Sequence, residues 1–251
     1  MNKRLFFALT LPASIVCFGL VPKPAVKVCL CIEFWFASFI FISRFMKWKL
    51  PNFSRVILLF SLFSLAINIR TVGITLDAVI NKNGGEYVAQ MFQNDSICNF
   101  VCRIINALIF IFLDLSIAVK GATRIAEINA RFTLDAMNNK IFDIQNSLNK
   151  QEISEEEADR QKKLIREEVD HANDLDGAMK FLSGSVKCTM LLLLVALVGG
   201  ILAGIFLNKM PITDAVSMNM MVFFSNAISF SVPQIMVGIA ALFEVEGRIK
   251  E

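Results

Sequence analysis

Histidine is nearly missing from this 251-residue chain, His171 being the only one, and charged residues make up just 19% of it. No cysteine group lies near this histidine at zinc spacing, so no metal site is expected. Cys98 and Cys102 stand one helical turn apart, an awkward geometry for a disulfide. Cys17, Cys29, Cys31 and Cys188 lie in apolar stretches and read as packed free thiols. There is no phosphate-binding loop, nucleophile motif or metal triad, and the acidic run near Glu155 lacks the alternating ligands and central glycine of a calcium loop. The chain is therefore expected to be no enzyme, to need no cofactor and to bind no nucleic acid.

What the chain does have is apolar sequence. Hydrophobic residues reach 55% and mean hydropathy is +0.59, outside the range of a soluble domain of this length. The charges avoid several long apolar blocks and gather between Lys120 and Lys187. At a rise of about 1.5 Å per residue a span needs about 20 apolar residues. Six stretches qualify as apparent spans: Leu5–Val21, Val28–Ile42, Val56–Ile80, Cys98–Val119, Val186–Leu207 and Met218–Phe243. The expected fold is all-α, a polytopic membrane helical bundle with a small helical cytosolic insert. Residues 1–119 hold spans one to four, 120–185 the insert, and 186–251 spans five and six with a short tail.

Prolines and basic residues refine this picture. Val21-Pro22-Lys23-Pro24 blocks a continuous helix and predicts a tight hairpin between spans one and two. Pro12 and Pro233 fall inside spans, where neighbouring helices satisfy the freed carbonyls. Lys3, Arg4, Arg44, Lys47, Lys49 and Arg55 form the denser basic set and mark the cytoplasmic side. Both termini and the insert are then cytoplasmic. The apolar start is not read as a cleavable signal, because another span follows almost at once.

The insert predicts two helices, the first running on from span four. Arg124, Glu127, Arg131 and Asp135 share one face with alternating sign, each neighbouring pair being worth about 0.2–0.5 kcal/mol. Ile125, Ile128 and Phe132 form another face, available to a neighbour. Ser154-Glu155-Glu156-Glu157 is a capping box that starts the second helix. Glu156 with Arg160 and Asp159 with Lys163 are its expected outer pairs, and His171 is expected to be exposed. Among acids inside spans, Asp114 lies roughly 9 Å along the helix from Lys120. It is a candidate for exchanging a proton, or else a carboxyl satisfied by a polar neighbour. Glu33 and Asp77 are expected to bend outward toward the headgroups.

The run from Arg124 to Met137 resembles the signature of the FHIPEP family of large export-gate subunits of type III secretion. Lys120-Gly121-Ala122 precedes it as in that family. Asp176-Gly177-Ala178-Met179-Lys180-Phe181 is similar to the family's Asp-Gly-Ala-Ser-Lys-Phe, and Gly199-Gly200 follows in a span. Leu62 to Asn68 and Val21 to Pro24 match further family stretches, so the resemblance runs through nearly the whole chain. It implies a membrane component of a type III secretion or flagellar export gate, coupling the proton-motive force to protein translocation in a bacterial inner membrane. It implies a ring of copies, nonameric in the family, embedded in the lipid bilayer, with other export-apparatus proteins and secreted proteins in transit as partners.

Asp135 and Asp176 match positions implicated in proton coupling, and Arg124, Arg131 and Lys180 the basic ones. Protonating Asp135 would break a pair with Arg131, and Gly177 would free the backbone to follow. Asp114 stands where the family has glutamine. Departures include Asn138-Asn139-Lys140-Ile141-Phe142 for Pro-Gly-Lys-Gln-Met, with Gln145, Ser147, Ser185 and Asn226 at acidic positions and Ser64 at an arginine. The family's large soluble domain is not in this chain and would be encoded separately or lost. The competing readings are an unrelated secondary transporter or channel, which should show two repeated halves, and a truncated gate remnant that no longer exports.

Overall fold

The computed structural model describes residues 25–46, 52–80 and 97–249. The first predicted span and the Val21–Pro24 hairpin lie outside the described residues, as do several of the basic residues that mark orientation. The described residues form α1 (Ala25–Phe45), α2 (Phe53–Ile80), α3 (Ile97–Asp114), α4 (Ala122–Asn149), α5 (Glu155–Phe206) and α6 (Ile212–Ile249). A π-helical segment, Leu115–Gly121, joins α3 to α4. No strand occurs among the described residues, so the all-helical expectation holds. Four helical stretches there are long and apolar enough to cross a membrane: Phe53–Asp77, Ile104–Asn149, Glu155–Phe206 and Ile212–Val245.

Two helices run unbroken from apolar into charged sequence. The third element continues through the π segment into α4, as expected for the fourth predicted span. In the π segment the Ala122 N–H donates to the Ile117 carbonyl, five residues back. A Cβ at Gly121 would stand 3.0 Å from the Ser116 carbonyl oxygen, so glycine lets this widened turn close. Helix α5 is 52 residues long, about 78 Å at the α-helical rise. Its first half is charged and its second half apolar, so residues 185–186 mark a change of composition and not a break. Gly177 sits inside this helix, which runs through it without interruption.

The hairpin between α4 and α5 closes on a left-handed residue, Gln151, with φ 58°. Its N–H donates to the Leu148 carbonyl and the next N–H, of Glu152, donates to Ser147, which satisfies the last carbonyls of α4. The main core lies where the hairpin meets the apolar bundle. Leu175, Met179 and Leu182 of α5 pack there with Ile57 and Phe60 of α2 and Val237 of α6. Ala122, Ala126 and Ala130 line the buried side of α4 at four-residue spacing, and their small side chains let the helices approach closely.

Farther along, α5 meets α6 through glycine. A Cβ on Gly200 would stand 2.1 Å from Asn219 Oδ1, whose side chain is held over the glycine by a 2.8 Å bond from Nδ2 to the Ala215 carbonyl. Gly200→Val is expected to separate α5 from α6 and destabilise the chain by about 1–3 kcal/mol, the usual cost of overpacking. Thermal unfolding in detergent measures it; an unchanged midpoint would mean the contact is loose.

Candidate functional site

Antiparallel packing of α4 on α5 sets two ion pairs side by side. Glu127 Oε1 accepts from Arg131 Nη2 at 2.6 Å on α4, and Asp176 Oδ2 accepts from Lys180 Nζ at 2.7 Å on α5. Both pairs are four residues apart on their helix, so helical geometry alone brings each together. The hydrogen bond and charge of Asp176 hold the Lys180 ammonium above its ordinary pKa; Glu127 adds to the effect and Arg131 opposes it. The four charges therefore act on one another. Lys180 is open to solvent while Asp176 is mostly covered, and Asp176 Oδ1 is buried with no hydrogen-bond donor.

This arrangement has a definite chemical consequence. A proton placed on Asp176 removes the charge that holds Lys180. The ammonium is then left near Arg131 with only Glu127 to balance the two cations.

Other motif residues fall elsewhere. Asp135 is exposed and forms no ion pair among the described residues; Arg131 pairs with Glu127 instead. The expected break of an Asp135–Arg131 pair is thus corrected, because the arginine reaches back one turn toward the N-terminus and not forward. Arg124 is outside the four-charge group, and Lys120 is exposed on the π segment. The far end of the hairpin is held by Lys140 Nζ to Glu168 at 2.9 Å and Lys162 Nζ to Gln145 Oε1 at 3.1 Å.

The capping box is present in half. Ser154 Oγ accepts from the Glu157 N–H at 3.3 Å, but the Glu157 side chain turns along the helix to Gln161 and Arg160. The outer pairs differ from those expected. Glu157 with Arg160 and Lys163 with Glu167 replace Glu156 with Arg160 and Asp159 with Lys163. Exposed side chains of similar reach choose among several partners at little cost.

Two further expectations change, those for His171 and Glu33. His171 is only 20% exposed, and its Nε2 lies 3.3 Å from Glu244 Oε1 on α6. Glu244 also pairs with Arg44, whose guanidinium carbon stands 4.6 Å above the Phe53 ring. A helix ending, a span and the charged hairpin thus meet at one carboxylate. Glu33 does not bend outward but is fully buried between helices, while Asp77 is exposed. Asp114 is also fully buried, facing Ser231 of α6, with neither carboxyl oxygen in a regular hydrogen bond. In sequence Arg44 shows only as one of the basic residues that mark orientation, and Glu244 only as an acid at the end of an apolar stretch. No group of metal-binding side chains occurs among the described residues.

Comparison with known proteins adds a second line of evidence. The model of the FHIPEP family matches residues 15–246. The flagellar biosynthesis protein FlhA of Caulobacter vibrioides is 30% identical over 226 residues, which is 88% of this chain and 32% of that protein. FlhA of Bacillus subtilis is 29% identical over 189 residues, 75% of this chain and 27% of that protein. The hypersensitivity response secretion protein HrpI of Pseudomonas syringae pv. syringae is 27% identical over 190 residues, 76% of this chain and 27% of its own length. The chain thus spans about a third or less of the length of these relatives. No solved structure matches.

Proposed function

Since the chain belongs to the FHIPEP family, we propose that it is a membrane component of a type III protein export gate. It couples the proton-motive force to the passage of secreted or flagellar proteins. The observation that carries this reading is the four-charge group of Glu127, Arg131, Asp176 and Lys180, set on two helices that continue without a break into apolar spans. Proton uptake at Asp176 frees Lys180, and the disturbed α4–α5 contact is transmitted along rigid helices to the bundle. Asp176 is the principal proton-coupling residue. Asp135 and Asp114 are secondary candidates, the first exposed on α4 and the second buried against Ser231.

In this reading residues 1–119 and 186–251 lie in the bacterial inner membrane as a multi-pass bundle, and residues 120–185 form the cytosolic insert, with both termini cytoplasmic. Further copies of the chain assemble as a ring in the bilayer beside other export-apparatus proteins, and exported proteins pass through in transit. The polar hairpin supports the placement, since its exposed charges would be costly in lipid.

Asp176→Asn tests the proposal in a host whose export depends on this chain. The substitution keeps the shape and removes the titration. Secretion is expected to fall about tenfold or more, the size typical of losing a proton-transfer group, while the protein remains in the membrane at its normal level. Unchanged secretion would sink the reading.

A further inference from the structure

The register of the hairpin brings three cations together where it enters the apolar bundle. On the π segment and α4, Lys120, Arg124, Glu127 and Arg131 recur at helical spacing and share one face. On α5, Lys180, Gly184 and Lys187 do the same. Lys180 lies within electrostatic reach of Glu127 and Arg131, so the two faces open on the same side of the hairpin. The contacts Lys140–Glu168 and Lys162–Gln145 fix an antiparallel register. Continued toward the bundle, that register sets Lys120 level with Lys187, and Arg124 level with Gly184.

These cations are not balanced. Lys120, Arg124 and Lys187 are all exposed, and none of them forms an ion pair among the described residues. The acids on the same faces, Glu127 and Asp176, are taken by Arg131 and Lys180. From Gly177 to Phe206, α5 carries no acid at all. A Cβ at Gly184 would meet nothing within 4 Å, so the space between Lys180 and Lys187 is open.

What lies beyond the cations decides the ligand. The α5 face continues as Leu191, Leu194 and Val198, each more than half exposed. From Lys187 to Val198 is about 16 Å at the helical rise, close to the hydrocarbon depth of one leaflet, about 15 Å. The face is thus cationic at one end and apolar for one leaflet's length beyond it. A soluble anion would use only the first part, and an apolar ligand only the second. We propose that Lys120, Arg124 and Lys187 form a headgroup site for one anionic phospholipid of the cytoplasmic leaflet, with its acyl chains laid along Leu191, Leu194 and Val198. Arg124 can offer two parallel N–H groups to the phosphate oxygens, and each basic side chain near a bilayer surface adds to the attraction. The site rests on the membrane placement proposed above and is independent of proton coupling.

Native mass spectrometry of the purified full chain tests it, because it counts the lipids held by each chain. The chain is first equilibrated in neutral-detergent micelles holding equal phosphatidylglycerol and phosphatidylcholine. One phosphatidylglycerol is expected to bind about fivefold or more tighter than phosphatidylcholine. The triple variant Lys120→Gln, Arg124→Gln, Lys187→Gln should hold the two lipids equally, and Lys150→Gln at the tip of the hairpin should leave the preference unchanged. Equal binding of both lipids by the parent chain, or undiminished preference in the triple variant, overturns the site. Displacement of the phosphatidylglycerol by excess inorganic phosphate would assign the cations to a soluble anion and overturn it too. Should the triple variant fail to fold, Lys187→Gln decides alone. A preference lowered about twofold or more sustains the site, and an unaltered one overturns it. A chain that holds neither lipid would remove the membrane placement itself, an outcome distinct from bound lipid without preference.

Discussion

Arg44→Met is expected to destabilise the chain by about 3–5 kcal/mol, the cost of breaking a buried ion pair from one side. Glu244 is 6% exposed and Arg44 10%. Without the guanidinium, Glu244 loses this ion pair, and the 3.3 Å approach of His171 is a full ion pair only when the imidazole is protonated. The aliphatic part of methionine still covers Phe53, so the loss reports charge more than packing. Unfolding in detergent with increasing denaturant measures it. The double variant Arg44→Met with Glu244→Leu should recover most of the loss, because an apolar pair leaves no uncompensated charge. A single variant as stable as the parent would show that water or another group already satisfies Glu244.

Phe60→Ala is expected to cost about 3–5 kcal/mol. Phe60 is fully buried in the core that joins α2 to α5 and α6, and it meets the Phe36 ring edge-on at 5.8 Å between centroids. In an apolar solvent such as lipid, the association of helices rests on close packing more than on the hydrophobic effect. A cavity at this crossing therefore removes contacts that nothing else replaces. The same unfolding measurement applies, and Phe60→Leu, which refills part of the space, should lose clearly less. Equal losses for the two would mean that ring geometry and not volume decides the site.

Several elements were legible because they depend on composition over a long window. The apolar blocks from Val56, Cys98, Val186 and Met218 all lie in helices, and the continuation of the fourth into α4 followed from unbroken helical sequence through Lys120. Ser154 caps α5 as its spacing with Glu157 requires. The Arg124–Met137 and Asp176–Phe181 blocks pointed to the family that the whole-chain comparison then showed. Asp176 with Lys180 is a local pair, so helical periodicity alone places the two together.

Long-range partners were hidden, and the reason differs from case to case. Asp135 had the spacing to meet Arg131, but so did Glu127, and an exposed arginine flanked by acids on both sides does not reveal its choice through sequence. Glu33 sits in a helix apolar on every side, where periodicity carries no sign of which face meets protein and which meets lipid. His171 lies on a charged helix, and only the end of α6, 73 residues later in the chain, turns that position inward.

By itself, then, the order of residues determined the helical class, the apolar segments, the charged hairpin and the family, all of which rest on local or summed properties. Tertiary structure decided which acids are buried, which charges are paired, and that Glu33, Ser64, Asn68, Thr189 and Gln234 form one cluster. That decision depends on how each helix is rotated about its axis against its neighbours. The rotation is set by contacts between residues such as Ser64 and Gln234, 170 positions apart, and no pattern within a single helix records it.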